Sequence, residues 1–428
     1  MNNMSNARKI ALKALLDVRK NNAYSNITLN SVFKDIDITP ADKSLATAVF
    51  YGVLDRTITL DYVLSNFIKT PLKKVAPITL EVLRSALYQI MFMDKIPHSA
   101  AVNEAVRLIK SSKERYNASF TNGVLRNILR SEIKLPDGDD VKSLSIIYSC
   151  PEWIINSFIS DYGLDVAKQL LSRSLEKPPI TLRVNTTKTD EIVLLDALQQ
   201  DGVCVQKGML ENSLVISGGI EVAKNRYYLD GMFHIQDISS QTAIKILAPK
   251  KGERILDMCA APGGKTFTIA EYLENNGEVI ACDLYEQRVS LIKKGAVRLG
   301  LSVISAKIAD ATVHNDTFGN FDAVLCDVPC SGLGVIRRKP EIKYKNIDEY
   351  ENISNIQLKI LENAATYLNK DGRILYSTCT VRKSENEQVV RAFLDKYSDY
   401  ELKYEQTFLP HIDGTDGFYC ALLQKAGD

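Results

Sequence analysis

The sequence predicts three domains: an all-α N-terminal domain over residues 1–140, a small α/β module over 141–235 and a doubly wound α/β domain over 236–428. Three observations lead there. A chain of 428 residues exceeds what one hydrophobic core usually organises. Apolar residues recur at helical spacing through the first third. From about residue 236 short apolar runs alternate with amphipathic stretches, the pattern of strands and helices in a parallel sheet.

The helical stripes come in order. Ile10, Ala11, Ala14, Leu15 and Val18 form one, and Leu45, Ala46, Val49, Phe50, Val53 and Leu54 another. Val82, Leu83, Ala86, Leu87 and Ile90 follow, then Val102, Ala105, Val106 and Ile109, then Phe120, Val124, Leu125, Ile128 and Leu129. Each keeps the three-and-four spacing of a buried helix face. The turn-forming cluster Pro136, Asp137, Gly138, Asp139, Asp140 ends the pattern. Beyond it, Glu152–Leu175 reads as helices, Pro178-Pro179 as a break, Ile180–Val184 and Leu214–Ser217 as strands, and Asp190–Gln200 as a helix between them. In the last domain strands are expected at Arg254–Met258, Glu278–Asp283, Val303–Ile308, Phe321–Asp327 and Arg373–Ser377. Glu286–Leu299 and Asp348–Leu368 read as helices.

Composition narrows the class. With 45% hydrophobic and 25% charged residues the chain is of globular type. No run approaches the ~18 to 20 apolar residues of a spanning helix. Ile10–Val18 is broken by Lys13 and Asp17, so neither signal peptide nor anchor is expected. Eight cysteines without a CxxC pair, beside four histidines, argue against disulfides or a metal site and for a reducing cytoplasm. The net charge of +1 hides an asymmetry: Met1–Lys134 carries 20 Lys and Arg against 11 Asp and Glu. Such a basic segment is either a solvated helical surface or a face for a polyanion, most simply a nucleic acid.

In a doubly wound sheet ligands bind beyond the carboxyl ends of the strands. After the first strand stands Cys259-Ala260-Ala261-Pro262-Gly263-Gly264-Lys265, whose small residues admit close approach of a ligand to the backbone and to the next helix's N-terminal amides. Position 259 lacks the glycine of a triphosphate-binding loop, and the GxGxxG fingerprint is absent. Asp283 ends the next strand 19 residues after Gly264, close to the ~20-residue offset of a ribose-binding carboxylate. Asp310 and Asp327 follow the third and fourth strands. One strand-end acid is often a turn cap; three in succession favour a ligand. An adenosine without polyphosphate, S-adenosylmethionine, fits the set.

Cys330 and Cys379 lie at the same rim, whereas Cys204, Cys282, Cys326 and Cys420 read as packing. A thiolate beside a methyl donor suits one reaction in particular. C5 of cytosine is a poor nucleophile until a thiolate adds at C6; an acid near N3, with Asp327 the candidate, stabilises the adduct.

Four motifs then resemble the RNA cytosine-5 methyltransferases of the NOL1/NOP2/Sun group: Ile255-Leu-Asp-Met-Cys-Ala-Ala-Pro-Gly-Gly-Lys265, Asp327-x-Pro-Cys330-Ser-Gly, Ile336-Arg-Arg-Lys-Pro-Glu-Ile-Lys343 and Tyr376-Ser-Thr-Cys379-Thr. The resemblance implies a Rossmann-like methyltransferase domain, Cys379 as nucleophile and Cys330 as an aid to product release. It also implies a S-adenosylmethionine site made of Cys259 through Lys265, Asp283, Asp310 and Asp327. Val328 departs from the usual Ala, a small packing change. Leu83-Arg-Ser-Ala-Leu-Tyr-Gln-Ile, Ile96-Pro-His-Ser-Ala-Ala-Val-Asn-Glu-Ala-Val and Phe120-Thr-Asn-Gly-Val-Leu-Arg are similar to the helical RNA-binding protein NusB. That fusion resembles the bacterial RsmB (Sun/Fmu) type, which modifies 16S ribosomal RNA.

The expectation is therefore a cytoplasmic, monomeric, metal-free 16S rRNA cytosine-C5 methyltransferase. Arg337, Arg338, Lys339, Lys343 and Lys345 are its candidate phosphate contacts, or else a solvated loop. A tRNA cytosine-C5 methyltransferase and a non-catalytic ribosome-assembly factor that binds RNA are the alternatives.

Overall fold

The computed structural model describes residues 3–21, 25–34, 36, 38–218 and 220–425. The chain divides into two compact units, Met1–Glu176 with Ile336–Lys345, and Lys177–Val335 with Asn346–Asp428.

The first unit is helical: α1 Asn3–Asn21, α2 Ser25–Phe33, α3 Pro40–Phe67, α4 Pro77–Phe92, α5 His98–Lys110, α6 Ala118–Arg130, α7 Val141–Tyr148, α8 Glu152–Tyr162 and α9 Leu164–Arg173. The expected stripes supply its core, with Leu15, Phe50, Leu54, Leu83, Ile109 and Leu125 fully or almost fully buried. Phe120 and Leu129 are exceptions and stay exposed on α6. Thr39 caps α3 by accepting from Asp42 N at 3.1 Å, and Pro40 occupies the first helical turn, where its missing N–H costs nothing. Asp140, the last of the turn-forming cluster, caps α7 through Lys142 N and Ser143 N. The unit continues past residue 140 because α7 is bonded to α3. Thr59 Oγ1 donates to Ile146 O at 2.6 Å, and Ser149 Oγ accepts from Ile58 N at 3.0 Å.

The segment Ile336–Lys345 packs into this unit although it is distant in sequence. Tyr344 donates its hydroxyl to Leu54 O at 2.7 Å, and Ser25 Oγ donates to Glu341 Oε2 at 2.7 Å.

The second unit contains two sheets. The smaller has the order β2-β3-β1-β4, built from β1 Ile180–Val184, β2 Val205–Lys207, β3 Ser213–Ile216 and β4 Phe233–Ile235, with all pairs antiparallel. Helix α10, Glu191–Gln200, covers one face, placing Leu194 and Leu198 against Leu182, Val184, Leu214 and Phe233. The short α11, Arg226–Leu229, precedes β4.

The larger sheet follows from α12 Ile238–Leu247, β5 Arg254–Asp257, α13 Gly264–Tyr272, β6 Glu278–Asp283, α14 Glu286–Leu299, β7 Ile304–Ile308, β8 Phe321–Asp327, α15 Ile353–Ala365, β9 Leu368–Thr378, α16 Glu387–Lys396, β10 Tyr400–Phe408, α17 Pro410–Asp413 and β11 Phe418–Lys425. Its order is β10-β11-β9-β8-β5-β6-β7; β9, β8, β5, β6 and β7 are parallel, and β11 runs antiparallel to both neighbours. Successive side chains go to opposite faces. Ile255, Leu325 and Leu375 face Ile244 and Leu247 of α12 and Ile269 of α13; Leu256, Val324 and Ile374 face Ile360 of α15 and Phe393 of α16. The strand order reverses between β5 and β8, so the ligand crevice of this topology lies at their carboxyl ends.

A buried charge cluster joins the two sheets. Arg183 Nε of β1 donates to Glu271 Oε2 of α13 at 3.0 Å, and His234 Nε2 of β4 lies 3.3 Å from Glu271 Oε1. Asn185 Nδ2 adds a bond to Leu299 O at 2.8 Å. Glu271 is 2% exposed and Arg183 5%, so removing either partner strands a charge away from water. Glu271→Ala is expected to lower stability by about 3–5 kcal/mol in urea unfolding, and Glu271→Gln by less.

Candidate active site

The crevice is built from the ends of β5, β6, β8 and β9. Asp257, the last residue of β5, is fully buried and accepts from Thr266 Oγ1 of α13 at 2.6 Å; burial pushes its carboxyl up to about 7. The loop that follows holds a cis Ala261-Pro262 bond, and Gly263 has φ +113°. A Cβ there would stand 2.3 Å from the Phe267 ring, and one at Gly295 of α14 would stand 2.2 Å from it. The two glycines thus let one aromatic ring lock the loop against α13 and α14. Cys259 in this loop has its thiol pushed well up by burial, which suits packing rather than attack.

Lys265, in the first turn of α13, donates to Asp327 Oδ2 at 2.9 Å, while Ser377 Oγ donates to Asp327 Oδ1 at 2.8 Å. Burial alone would lower the Lys265 ammonium, but the Asp327 carboxylate outweighs it and holds the group above its ordinary value. Lys265 is therefore a fixed cation at the end of β8.

The three strand-end acids differ. Asp327 is engaged by residues distant in sequence. Asp283 is 4% exposed; its Oδ1 accepts from Tyr285 N at 3.2 Å and its Oδ2 lies 3.4 Å from Arg288 Nε. Arg288 also donates to Ala261 O at 2.9 Å, tying the acid to the loop. Asp310 is exposed, and its Oδ1 accepts from Thr312 Oγ1 at 2.7 Å and Thr312 N at 2.8 Å, which lowers its carboxyl. It makes a turn of the Asx kind, and it also borders a shallow recess lined by Met258, Cys282 and Phe318. Leu284 and Tyr285 present exposed apolar surface just after Asp283.

Cys330 and Cys379 meet beyond the ends of β8 and β9, with their sulfurs 3.2 Å apart. The hydrogen bond with Cys379, followed by burial, pushes the Cys330 thiol well above its ordinary value, so Cys330 keeps its proton. The paired loops are tied by Ser331 Oγ to Thr380 Oγ1 at 2.9 Å and by Gly334 N to Cys379 O at 3.1 Å. A Cβ on Gly334 would stand 1.9 Å from Gly417 O, so this crossing requires glycine. The sequence reading missed Gln357, Glu385 and Asn386, which are buried around these loops, and Arg288. A charged run such as Lys383–Glu387 looks like a solvated surface; only its position directly after the Cys379 motif marked it.

The basic residues after Cys330 fare differently. Arg337, Arg338 and Lys345 are half-buried and Lys339 is exposed, all within the segment that packs into the helical unit. Lys343 corrects the expectation of a phosphate contact. Its side chain is fully buried, donates to Asp55 O at 2.7 Å and lies 3.8 Å from Asp55 Oδ1, so its charge is satisfied inside the protein. Among the described residues no helix is long and apolar enough to cross a membrane.

Residues 244–424 match the family model of 16S rRNA methyltransferase RsmB/F, residues 5–130 that of the NusB family, and residues 150–223 that of the RsmF/B-like ferredoxin-like domain. The probable ribosomal RNA small subunit methyltransferase B of Bacillus subtilis (strain 168) is 40% identical over 445 residues, spanning 99% of each chain. The chain belongs to the ribosomal RNA small subunit methyltransferase B family. Another of the family, from Photorhabdus laumondii, is 31% identical over 99% of this chain and 100% of its own length. The crystal structure of PH0851 superposes on 99% of this chain and 99% of its own with a TM-score of 0.85 and 26% identity. NSun6 from Pyrococcus horikoshii, crystallised with SFG, shares the fold over 65% of this chain and 99% of its own at a TM-score of 0.60 and 22% identity.

The burial of Lys343 separates structural from surface lysines in this family member. Lys343→Ala is expected to cost about 3 kcal/mol in denaturant unfolding, since it removes a fully buried cation and its bond to Asp55 O beside the partly buried Asp55 carboxyl, whereas Lys339→Ala leaves stability unchanged. Equal effects would contradict the placement.

Proposed function

We propose that this chain transfers a methyl group from S-adenosylmethionine to C5 of a cytosine in 16S ribosomal RNA through a transient Cys379–C6 bond. The observation that carries the reading is the pair of thiols 3.2 Å apart beside the Lys265–Asp327–Ser377 cluster, at the strand ends where this topology binds ligands. Family membership and the names of the relatives supply the ribosomal RNA; the basic N-terminal segment suits it as a partner.

The residues fit the methyl donor chemically. Asp283 offers a buried carboxylate for ribose hydroxyls, Leu284 and Tyr285 an apolar wall, and the Cys259–Lys265 loop its main-chain groups. When bound, S-adenosylmethionine supplies an electrophilic methyl on a sulfonium.

The protein's own groups do the rest. A cytosine leaves its stack and enters the crevice. The Cys379 thiolate adds to C6, the ring electrons move towards C5, and the Lys265 ammonium, fixed by Asp327, stabilises by hydrogen bonding the negative charge that develops on the ring. C5 then takes the methyl, which discharges that charge; solvent water accepts the C5 proton as the C6–S bond breaks, the Cys379 thiolate leaves and the aromatic ring is restored. Cys330, protonated beside Cys379, serves this release.

Incubation of the purified chain with S-adenosylmethionine and unmodified 16S rRNA, followed by mapping of 5-methylcytosine, is expected to give one methylated position. Transfer to tRNA alone would favour the tRNA enzyme, and no transfer to either a non-catalytic assembly factor. Cys379→Ala is expected to abolish both transfer and the covalent protein–RNA band on a denaturing gel. Cys330→Ala is expected to accumulate that band. A Cys379→Ala protein that methylates at the parent rate would overturn the mechanism.

A further inference from the structure

Two consecutive side chains, Glu385 and Asn386, lie between the cysteine loops, and both are fully buried. They hold different loops. Glu385 Oε2 accepts from Ser331 N at 2.8 Å, the amide just after Cys330. Gln357 Nε2 donates to Pro329 O at 2.9 Å, the carbonyl just before Cys330, and to Glu385 Oε2 at 3.2 Å. The main chain on both sides of Cys330 is thus gripped by one buried acid–amide pair. Asn386 treats Cys379 in the same way: its Oδ1 accepts from Thr378 Oγ1 at 2.6 Å and its Nδ2 donates to Thr380 O at 3.1 Å.

The anchoring of this clamp is equally specific. Tyr376 OH donates to Glu385 O at 2.6 Å, so the position of the acid is set from β9. Arg382 lies 3.2 Å from Glu385 Oε1 and supplies its countercharge. A buried carboxylate at this point is costly, and a neutral residue would fill the volume at lower cost. Its charge, besides holding the loop, favours the protonated form of Cys330.

We infer that Glu385 and Asn386 are positioning residues for separate steps of the reaction: Glu385, with Gln357, aims Cys330 for release of the product, and Asn386 aims Cys379 for attack on the base. The assignment rests on the cysteine chemistry proposed above. Each acts through the cysteine whose neighbours it holds, Glu385 and Gln357 by the peptide groups beside Cys330, Asn386 by the Thr378 hydroxyl and the Thr380 carbonyl beside Cys379. The bond changes remain those already described, so loss of Glu385 slows expulsion of the Cys379 thiolate while its addition to C6 proceeds, and loss of Asn386 slows the addition itself.

The test uses the full chain, 16S rRNA and S-adenosylmethionine, with turnover and the covalent band on a denaturing gel read together. Displacement of a reacting group by about 1 Å costs on the order of 100-fold in rate. Glu385→Ala is therefore expected to lose about 100-fold in turnover and to accumulate the band as Cys330→Ala does. Glu385→Gln still accepts from Ser331 N and is expected to recover most of the turnover and to lose the band. Asn386→Ala is expected to lose turnover without a band, and in combination with Cys330→Ala to suppress the band that Cys330→Ala alone produces. Gln357→Ala leaves both cysteines and Glu385 in place and gives a weaker version of the Glu385→Ala pattern, which keeps the test usable should Glu385→Ala not fold. Because a general loss of structure would also remove band and turnover together, S-adenosylmethionine binding is measured alongside: Asn386→Ala is expected to bind it as tightly as the parent, and a lost affinity would overturn the assignment of Asn386. The inference is overturned if Cys330→Ala accumulates the band but neither Glu385→Ala nor Gln357→Ala does, or if Asn386→Ala accumulates it. Absence of the band from Cys330→Ala itself would instead count against the cysteine chemistry.

Discussion

The pairing of β8 with β9, which sets Asp327 opposite Ser377, is the constraint on which the candidate site depends. Parallel neighbours lie about 4.8 Å apart, and each strand's direction fixes where its last residues point. From that register, Cys330 follows Asp327 by three residues and Cys379 follows Ser377 by two, so both thiols emerge at one rim and meet. A slip of one residue would turn Asp327 and Ser377 to opposite faces. It would break the Ser377–Asp327 hydrogen bond, uncouple Lys265 and part the sulfurs. The two buried faces of the sheet resist such a slip, because every strand residue from Ala323 to Cys326 and from Ile374 to Tyr376 is already committed to a core.

Burial and charge work against each other throughout this molecule, and partner choice resolves the conflict. Lys265 remains an ammonium because Asp327 faces it, despite desolvation. Asp55 has a partner at a greater distance, Lys343 at 3.8 Å, and burial dominates: its carboxyl rises to about 6. Glu271 balances Arg183 at the junction of the two sheets. Isolated pairs of this kind add little net stability over apolar packing, yet they hold a geometry that apolar residues would leave loose.

Much of this was legible in the sequence, for identifiable reasons. Glu278–Asp283, Phe321–Asp327 and Glu286–Leu299 were readable to the residue because strands buried on both faces and a helix with one apolar stripe have distinct periods. The strand-end acids were readable as a set, but Asp310's local turn was indistinguishable from Asp327's long-range ion pair until both partners were seen. β10 went unread, since Glu401, Lys403 and Glu405 give it the charged texture that edge strands carry against aggregation. Lys343 looked like its basic neighbours because its partner lies 288 residues earlier. Glu385 and Asn386 were hidden for the converse reason: their polar character is spent inward, on loop groups beside the two cysteines that their own sequence neighbours do not reveal.

The inclusion of Ile336–Lys345 in the helical unit bears on how the chain is made. A ribosome delivers the first 176 residues long before it delivers residue 345, so α2 and α3 emerge with Ser25, Leu54 O and Asp55 lacking the groups that later engage them. The nascent helices can collapse, but completion waits until β5 through β8 have been synthesised. Maturation is thereby ordered: the amino-terminal portion acquires its last pieces only after the strands that carry Asp257, Asp283 and Asp327 exist. A fragment cut at Glu176 would lack the groups that Ser25, Leu54 O and Asp55 engage in the full chain.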